Sequence, residues 1–516
     1  LTQGAQPANL KRSQSILFYG LDEKYSSYKE REKNMQLFST PGSSRRTFLK
    51  TAATASALTA FPYILKAAPV KPGERINLAC CGIGQRGADV VNSLMSTGMF
   101  NLVALCDTQM GAKHTEGILK KYPDVPRFQD FRKMFDKMEK EIDAISAGVP
   151  DHTHFPICMH AIKLGKGVYV EKPMAHTLQE CNLLIQAEAK YKVACQMGNQ
   201  GHSGDNYYQF RAMAKAGVMD NVTKVDAFMT KGRRWHKWNA GVPDKTMNWE
   251  QWLNKADEMP KEMDWDTWLG QVPFHAYKTD YINGDWRCWY EFGNGALGDW
   301  GAHIMDAVHE FLDLGMPEEV KLEMIKGHNP YVFPMSSTLN FKFPARGDKR
   351  PALDMVWSEG IGNEPKLPEG YHNTKAVGGD APPSGGSGSE VKSLSPGKII
   401  YRADGVVFKG TSHGSPLSVV KNAQEEKAGK MPDYEKKQPD HFKDFALGVK
   451  GEKACNSRFA VGGELSKVLC LGCIAQRLNT SFKFDRKTET IPDNAIANQL
   501  LVGPPPRKGW EQYYKV

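Results

Sequence analysis

"ERINLACCGIGQRG", Glu74 to Gly87, decides how this chain folds. Its first half is a short apolar run, which reads as a buried strand. The second half, Gly82-Ile83-Gly84-Gln85-Arg86-Gly87, is G-x-G-x-x-G, and an amphipathic helix through Ser93 and Leu94 follows it. Glycines here permit a tight turn and let a pyrophosphate approach backbone amides at a helix N-terminus. The motif alone also occurs in ordinary turns, so its surroundings must carry the reading.

Working outward, short apolar runs alternate with amphipathic stretches from Arg75 to about Gly198. "NLVALCD", "DAISAGV", "GVYVEKP" and "KVACQMGN" read as strands. "AKHTEGILKKY", "HFPICMHAIKLG" and "LQECNLLIQAEAKY" read as helices. This alternation predicts a doubly wound parallel sheet, a Rossmann domain over residues 73–200. Asp107 closes the second strand, twenty residues past Gly87. A carboxylate there can bond ribose hydroxyls and repels a 2′-phosphate, so NAD is expected and NADP disfavoured.

After Asn199 the pattern changes. "VTKVDAFMT" and "STLNFKF" read as strands without regular crossover helices, predicting an α+β domain over residues 201–516 with a largely antiparallel open sheet. A Gly/Pro/Ser-rich segment over 360–397 reads as a long loop, and "KIIYRADGVVFKG" as a hairpin turning at Asp404-Gly405. The overall fold class is α/β with two domains.

The formal net charge of +9 is concentrated at the start of the chain. Residues 1–72 hold 11 Lys/Arg and 4 Asp/Glu, a net of +7, leaving about +2 for the rest (9 − 7). That excess does not predict nucleic-acid binding. Ser44-Arg45-Arg46-Thr47-Phe48-Leu49-Lys50, followed by a mildly apolar stretch from Thr51 to Leu65, resembles a twin-arginine signal. It implies export of the folded protein by the twin-arginine translocase to a periplasmic or other extracytoplasmic space. The ten cysteines lie mostly in apolar strands and helices, where a thiol packs as a small hydrophobe. Cys470-Leu-Gly-Cys473 has redox-motif spacing, but its apolar helical setting favours core packing.

Two further stretches carry chemistry. Val170-Glu171-Lys172-Pro173 ends a strand on the carboxyl side, where a Lys would stand beside a nicotinamide. "GNGALGDWGAHIMDAVHEFLDLG", Gly293 to Gly315, places Asp299 and His303 four apart, on one face of a helix expected near 298–314. Read alone, that pair is an N-terminal helix carboxylate and an interior histidine. His152 and His154 lack converging carboxylates, so no metal is expected.

Together these motifs resemble the Gfo/Idh/MocA family, the glucose–fructose oxidoreductase and inositol dehydrogenase group. The resemblance rests on the glycine turn, Asp107, "PDHTH" (Pro150 to His154), "EKP" (Glu171 to Pro173) and "GALGDWGAHIMD" (Gly295 to Asp306). "MDWDTWLG", "WRCWYEFGNG", "HFKDFALGVKG" and "RKGW" look like its secreted bacterial branch. By motif, the resemblance implies Lys172, Asp299 and His303 as the catalytic set, with Lys172 or His303 as base. It also implies Pro150, His154, Glu171 and Lys172 beside the cofactor. Trp286, Arg287 and Trp289 precede the catalytic helix and are expected on the substrate side. Of eleven tryptophans, nine fall between Trp235 and Trp300; most are expected to pack a core, some to line a carbohydrate site.

The expected activity is hydride transfer between a sugar or polyol carbinol and a tightly held nicotinamide. The alternatives are a redox-assisted glycosidase, lyase or epimerase acting through a transient keto-sugar, and an inactive sugar-binding protein, which the intact catalytic set disfavours. Self-association is compatible with an open sheet of this kind.

Overall fold

Strand β1 (Ile76–Cys81) ends at Gly82, and helix α1 (Gln85–Ser96) begins three residues later. Apolar residues bury β1 on both faces, as a central parallel strand requires. The other parallel strands are β2 (Phe100–Cys106), β3 (Arg127–Phe128), β4 (Ala144–Ala147), β5 (Gly167–Val170) and β6 (Cys195–Met197). Their order is β3-β2-β1-β4-β5-β6, the doubly wound arrangement in which a ligand crosses the carboxyl edge where the order reverses. Helices α2 (Glu116–Lys121), α3 (Phe131–Met138), α4 (Asp151–Lys163) and α5 (Leu178–Tyr191) supply the connections. Strand β3 and helix α3 went unread in the sequence: β3 is two residues long, too short for a period to register.

The second sheet has eight strands: β7 (Val222–Met229), β8 (Glu319–Lys326), β9 (Ser336–Phe343), β10 (Leu353–Glu359), β11 (Gly397–Arg402), β12 (Val407–Thr411), β13 (Ser418–Val419) and β14 (Phe482–Lys483). The order is β13-β12-β11-β7-β10-β9-β8-β14. All neighbours run antiparallel except β7 and β10, which are parallel. The β11–β12 hairpin turns at Asp404-Gly405 as expected, with Gly405 at φ +89°. A 20-residue helix, Phe459–Leu478, packs against both α5 and β8. It is apolar enough to cross a membrane by length and composition, but 83% of its apolar window is buried in the core. Each buried Leu or Val contributes about 1.5–3 kcal/mol. Cys470 and Cys473 lie on it, and all ten cysteines are buried free thiols.

This computed structural model describes residues 74–232, 234, 249–371, 394–436 and 438–516, all within one compact unit, Ile64–Val516. The twin-arginine-like stretch and the centre of the 360–397 segment lie outside the described residues, as do Trp235 and Trp238.

Candidate active site

A cleft with about 1140 Å³ of empty volume runs along the carboxyl edge of the first sheet. Gly82, Gly84, Gln85, Arg86 and Gly87 line it, together with Asp107, Pro150, His154, Glu171 and Lys172. Ile83 is fully buried behind the turn and offers only its backbone, which donates to Asp107 Oδ2 at 3.0 Å. Gly82 has φ +78°, and a Cβ on Gly87 would run into the Gly82 carbonyl. The turn is therefore bare backbone facing a helix N-terminus, which fits a dinucleotide pyrophosphate. Asp107 Oδ1 accepts from Gln109 N at 3.0 Å and lies 3.6 Å from His114 Nε2. Sequence reasoning passed over His114, whose imidazole lies against Gly84 and whose pKa is raised by its bond to Asp107.

At the other end, the Lys172–Pro173 peptide is cis, and Lys172 Nζ donates to the Asp299 carbonyl at 3.0 Å and to its carboxylate. Arg234 Nε donates to the other carboxylate oxygen at 2.5 Å. Burial opposes the Asp299 charge, but Arg234, Lys172 and Arg287 outweigh it and hold the carboxyl well below its ordinary range. Arg234 carries no motif and went unread. Glu171 accepts from Arg86 Nη2 at 3.0 Å and Gln200 Nε2 at 3.1 Å, tying the glycine turn to the Lys172 strand end.

The helix expected over 298–314 is instead broken. A five-residue π turn, Leu297–Gly301, leads into short helical pieces at Ala302–Ile304 and Asp306–Phe311. Glycines cause the break: Gly295 has φ +62°, and a Cβ on Gly298 would collide with Asn294. Such π turns concentrate at functional sites. The turn still brings Asp299 close enough to His303 to favour its protonation. Burial, the His413 ring at 4.2 Å and Lys172 prevail, so His303 is held neutral, its Nδ1 buried and without a hydrogen-bond partner among the described residues. A neutral imidazole can take a proton at its unprotonated nitrogen, although His303 is not among the residues that line the cleft.

His154 is buried with Nδ1 2.9 Å from the Pro173 carbonyl and Nε2 3.0 Å from that of Val149. Burial lowers its pKa to about 4, so the neutral ring donates to only one of them. Residues Met263, Thr267, Trp268, Ile282 to Gly284, Trp286 and Arg287 also line the cleft. The Arg287 guanidinium lies 4.0 Å above the Trp286 ring. Trp289 departs from expectation. It is 2% exposed, its Nε1 donates to the Asp280 carbonyl, and it packs among Tyr281, Trp286 and Phe292, away from the cleft. Its neighbour Arg287 points to the cleft because this stretch is a 3₁₀ turn, so sequence adjacency does not keep side chains on one side.

The broken helix is anchored by a buried ion pair. His202 Nδ1 lies 2.9 Å from Asp306 Oδ1, and Nε2 lies 3.2 Å from Glu310 Oε2. Burial opposes the His202 charge, but Asp306 and Glu310 raise its pKa to about 9. A raised histidine gives its full stability below about pH 6.5 and loses it as pH rises through about 9. His202→Ala is expected to cost about 3–5 kcal/mol at pH 7, because Asp306 is left buried without its partner. Thermal unfolding of both proteins from pH 6 to 10 should show the gap narrowing at the alkaline end.

A cleft of dinucleotide-binding form thus adjoins a mixed open sheet, with an ammonium and a carboxylate paired where the two meet and an imidazole near them. Residues 76–199 match the oxidoreductase-family NAD-binding Rossmann fold of the Gfo/Idh/MocA family, and residues 209–336 match that family's C-terminal alpha/beta domain. The two matches are consecutive along the chain and fall on its first sheet and on the start of its second. Among curated proteins, the chain is 24% identical over 183 residues to a glycosyl hydrolase family 109 protein of Shewanella sp. strain ANA-3, covering 34% of this chain and 39% of that one. It is 23% identical over 183 residues to an alpha-N-acetylgalactosaminidase of Shewanella oneidensis, with the same coverage. The match thus spans about two fifths of those relatives' length. A WlbA dehydrogenase of Chromobacterium violaceum, solved with NADH and UDP-GlcNAcA, superposes with a TM-score of 0.53 at 13% identity, covering 83% of this chain and 99% of that one. The Bordetella pertussis WlbA dehydrogenase gives 0.50 at 12%, covering 80% and 99%. At such identities the likeness is one of fold.

Proposed function

We propose that this protein is an exported oxidoreductase that moves hydride between a carbohydrate carbinol carbon and a resident NAD. The observation that carries the reading is the junction itself: Lys172 lines the cleft and pairs with Asp299, which Arg234 also holds, and His303 lies within reach of the charges of Lys172 and Asp299. The glycine turn, Asp107 and Glu171 would hold the dinucleotide, which when bound supplies the hydride acceptor. The Asp107 carboxylate favours NAD over NADP by repelling a 2′-phosphate. Lys172 stabilises the alkoxide as the hydroxyl proton leaves, and Asp299 with Arg234 fixes the amine's position. His303 or Lys172 takes that proton. Trp286 and Arg287 offer a flat face and a cation to a sugar.

Export would require the cofactor to be retained, since outside the cytosol no free pool replaces a lost NAD. The twin-arginine translocase, which passes folded proteins, would carry it across already bound. Protein purified from the periplasm should contain close to one NAD(H) per chain by mass spectrometry and absorbance. Recovery of an apoprotein, or of NADP, sinks that part of the reading.

A second reading has its own support. The curated relatives named as glycosyl hydrolases and as an alpha-N-acetylgalactosaminidase favour redox-neutral glycoside cleavage. Oxidation of a ring hydroxyl acidifies the adjacent C–H; elimination of the aglycone, water addition and re-reduction then restore the cofactor. Incubation with N-acetylgalactosamine and its p-nitrophenyl glycoside separates the two: a stable ketone with NADH supports the first, released p-nitrophenol with no net NADH the second.

A further inference from the structure

A cleft that takes NAD must tell a ribose hydroxyl from a 2′-phosphate, and here the choice falls to Asp107. Its carboxylate is fixed from the protein side. Oδ2 accepts from Ile83 N and Oδ1 from Gln109 N, each at 3.0 Å. The amide of Ile83 belongs to the glycine turn, so carboxylate and turn hold one position relative to each other. A fixed anion selects by charge, and a second charge beside it alters the selection.

His114 supplies such a charge. It lies between β2 and α2, lines the cleft with Asp107, and its Nε2 is 3.6 Å from Asp107 Oδ1. The ring lies over the second glycine of the turn: a Cβ on Gly84 would run into His114 Cδ2 and come within 3.0 Å of Cγ. Any side chain at position 84 would therefore displace the imidazole. The His114 side chain is 25% exposed, so solvent protons reach it, and so does a ligand in the cleft. Gln109 and Gln129 also line the cleft and carry no charge. Arg86, on the turn, is drawn to Glu171. Glu262 accepts from Gln109 Nε2 at 3.4 Å, Glu116 at the start of α2 pairs with Lys120, and Lys113 is exposed. Asp107 is the group that acts on the ring, and it raises the His114 pKa against the effect of burial.

We propose that His114 sets the cofactor selectivity of this cleft: as a cation it offsets Asp107 and admits the 2′-phosphate of NADP, and as a neutral ring it leaves Asp107 to select NAD. The inference rests on the reading of the cleft as a dinucleotide site and deepens it. Histidine changes charge between about pH 5 and pH 8. An anion within about 4–6 Å raises its pKa by about one unit, and by linkage the protonated ring holds that anion about tenfold more tightly. NAD, with no charge at the 2′ position, gains nothing from it. The ratio of the NADP to the NAD dissociation constant should thus fall about tenfold from about pH 8.5 to about pH 6.5. Over that range the 2′-phosphate keeps most of its second charge, whose pKa is about 6, so the change belongs to the protein.

The test counts bound nucleotides rather than turnover. Protein as isolated is equilibrated with a mixture of NAD and NADP at each pH, and the bound and free pools are separated by ultrafiltration and counted by mass spectrometry. His114→Gln keeps a flat side chain over Gly84 and an N–H for Asp107 but cannot titrate. Its ratio should stay at the alkaline wild-type value across the range, with NAD binding unchanged. His114→Lys, a fixed cation, should hold the acidic wild-type value throughout, and it decides the matter if His114→Gln does not fold. A ratio that still falls with pH in His114→Gln, or that follows wild type in His114→Lys, overturns the proposal. So does a flat ratio in wild type. Uptake of neither nucleotide by wild type overturns the dinucleotide reading and the role of His114 with it, whereas the other outcomes all need nucleotide bound and bear on His114 alone.

Discussion

Lys172→Ala should keep its NAD(H) and its fold and lose on the order of 10²–10³ in kcat. The reason lies in what the amine touches. Its recorded bonds run to the Asp299 carbonyl and carboxylate, both across the domain junction rather than into the first domain's core. Removing it leaves Asp299 paired with Arg234, so no carboxylate is stranded and the stability cost stays small. What disappears is a cation at the spot where an alkoxide develops, and such a donor acts more on the transition state than on the bound alcohol. KM should therefore move less than kcat. Single-turnover cofactor reduction, alongside cofactor content by absorbance, is the check. Turnover at the wild-type rate would remove Lys172 from the chemistry. Wild-type binding with a kcat lowered only a few-fold would shift the role of base and alkoxide partner to His303.

The first sheet was legible because its signals are local. A buried parallel strand is a run of apolar residues, a glycine turn is six letters long, and Asp107 sits at a fixed distance from it. The junction was legible only in part. Lys172 and Asp299 each stand in a recognisable stretch, but their contact joins residues 127 apart in sequence, which no period encodes. Arg234 was invisible for the same reason: it sits at positive φ (+60°) outside any helix or strand, and its importance comes only from reaching Asp299. Asp151 stands in a histidine-bearing motif, and nothing in "PDHTH" says that its carboxyl is buried and bonded to the Asn294 backbone N–H.

The tryptophan-rich stretch shows a different limit. Composition suggested a core with some site-facing rings, and that division is what appears. Trp265 and Trp268 stack at 4.6 Å and Trp289 is sealed into the same cluster, whereas Trp268 and Trp286 also reach the cleft. Which ring does which depends on short 3₁₀ and irregular turns between Thr279 and Cys288, whose side-chain directions no simple period gives. The broken catalytic helix has the same origin. The i, i+4 spacing of Asp299 and His303 suggests a regular helix, and the glycines that disrupt it read equally well as close packing.

Gly87→Ala should strip the protein of its cofactor. Gly87 lies in the first turn of α1, where most residues accept an Ala and gain from it, because a helical glycine costs about 0.5–1 kcal/mol relative to alanine. Here the added methyl points at backbone instead of solvent. It meets the Gly82 carbonyl group, with the carbonyl carbon at 2.7 Å, and the Gly148 carbonyl oxygen at 3.1 Å. Neither is the movable end of a side chain, so the helix must withdraw from the ends of β1 and β4. Overpacking of this kind costs about 1–3 kcal/mol. Withdrawal also moves the amides that would hold the pyrophosphate, so NAD affinity should fall about 100-fold or more, and a further drop in Tm follows because a bound ligand stabilises only the folded state. Gly117→Ala is the matched control. Gly117 lies inside α2 with nothing within 4 Å of the added methyl, so it should hold or slightly raise Tm and leave cofactor content unchanged. If Gly87→Ala is purified with a full complement of NAD(H), the dinucleotide does not sit on this turn, and the assignment of the cleft falls with it.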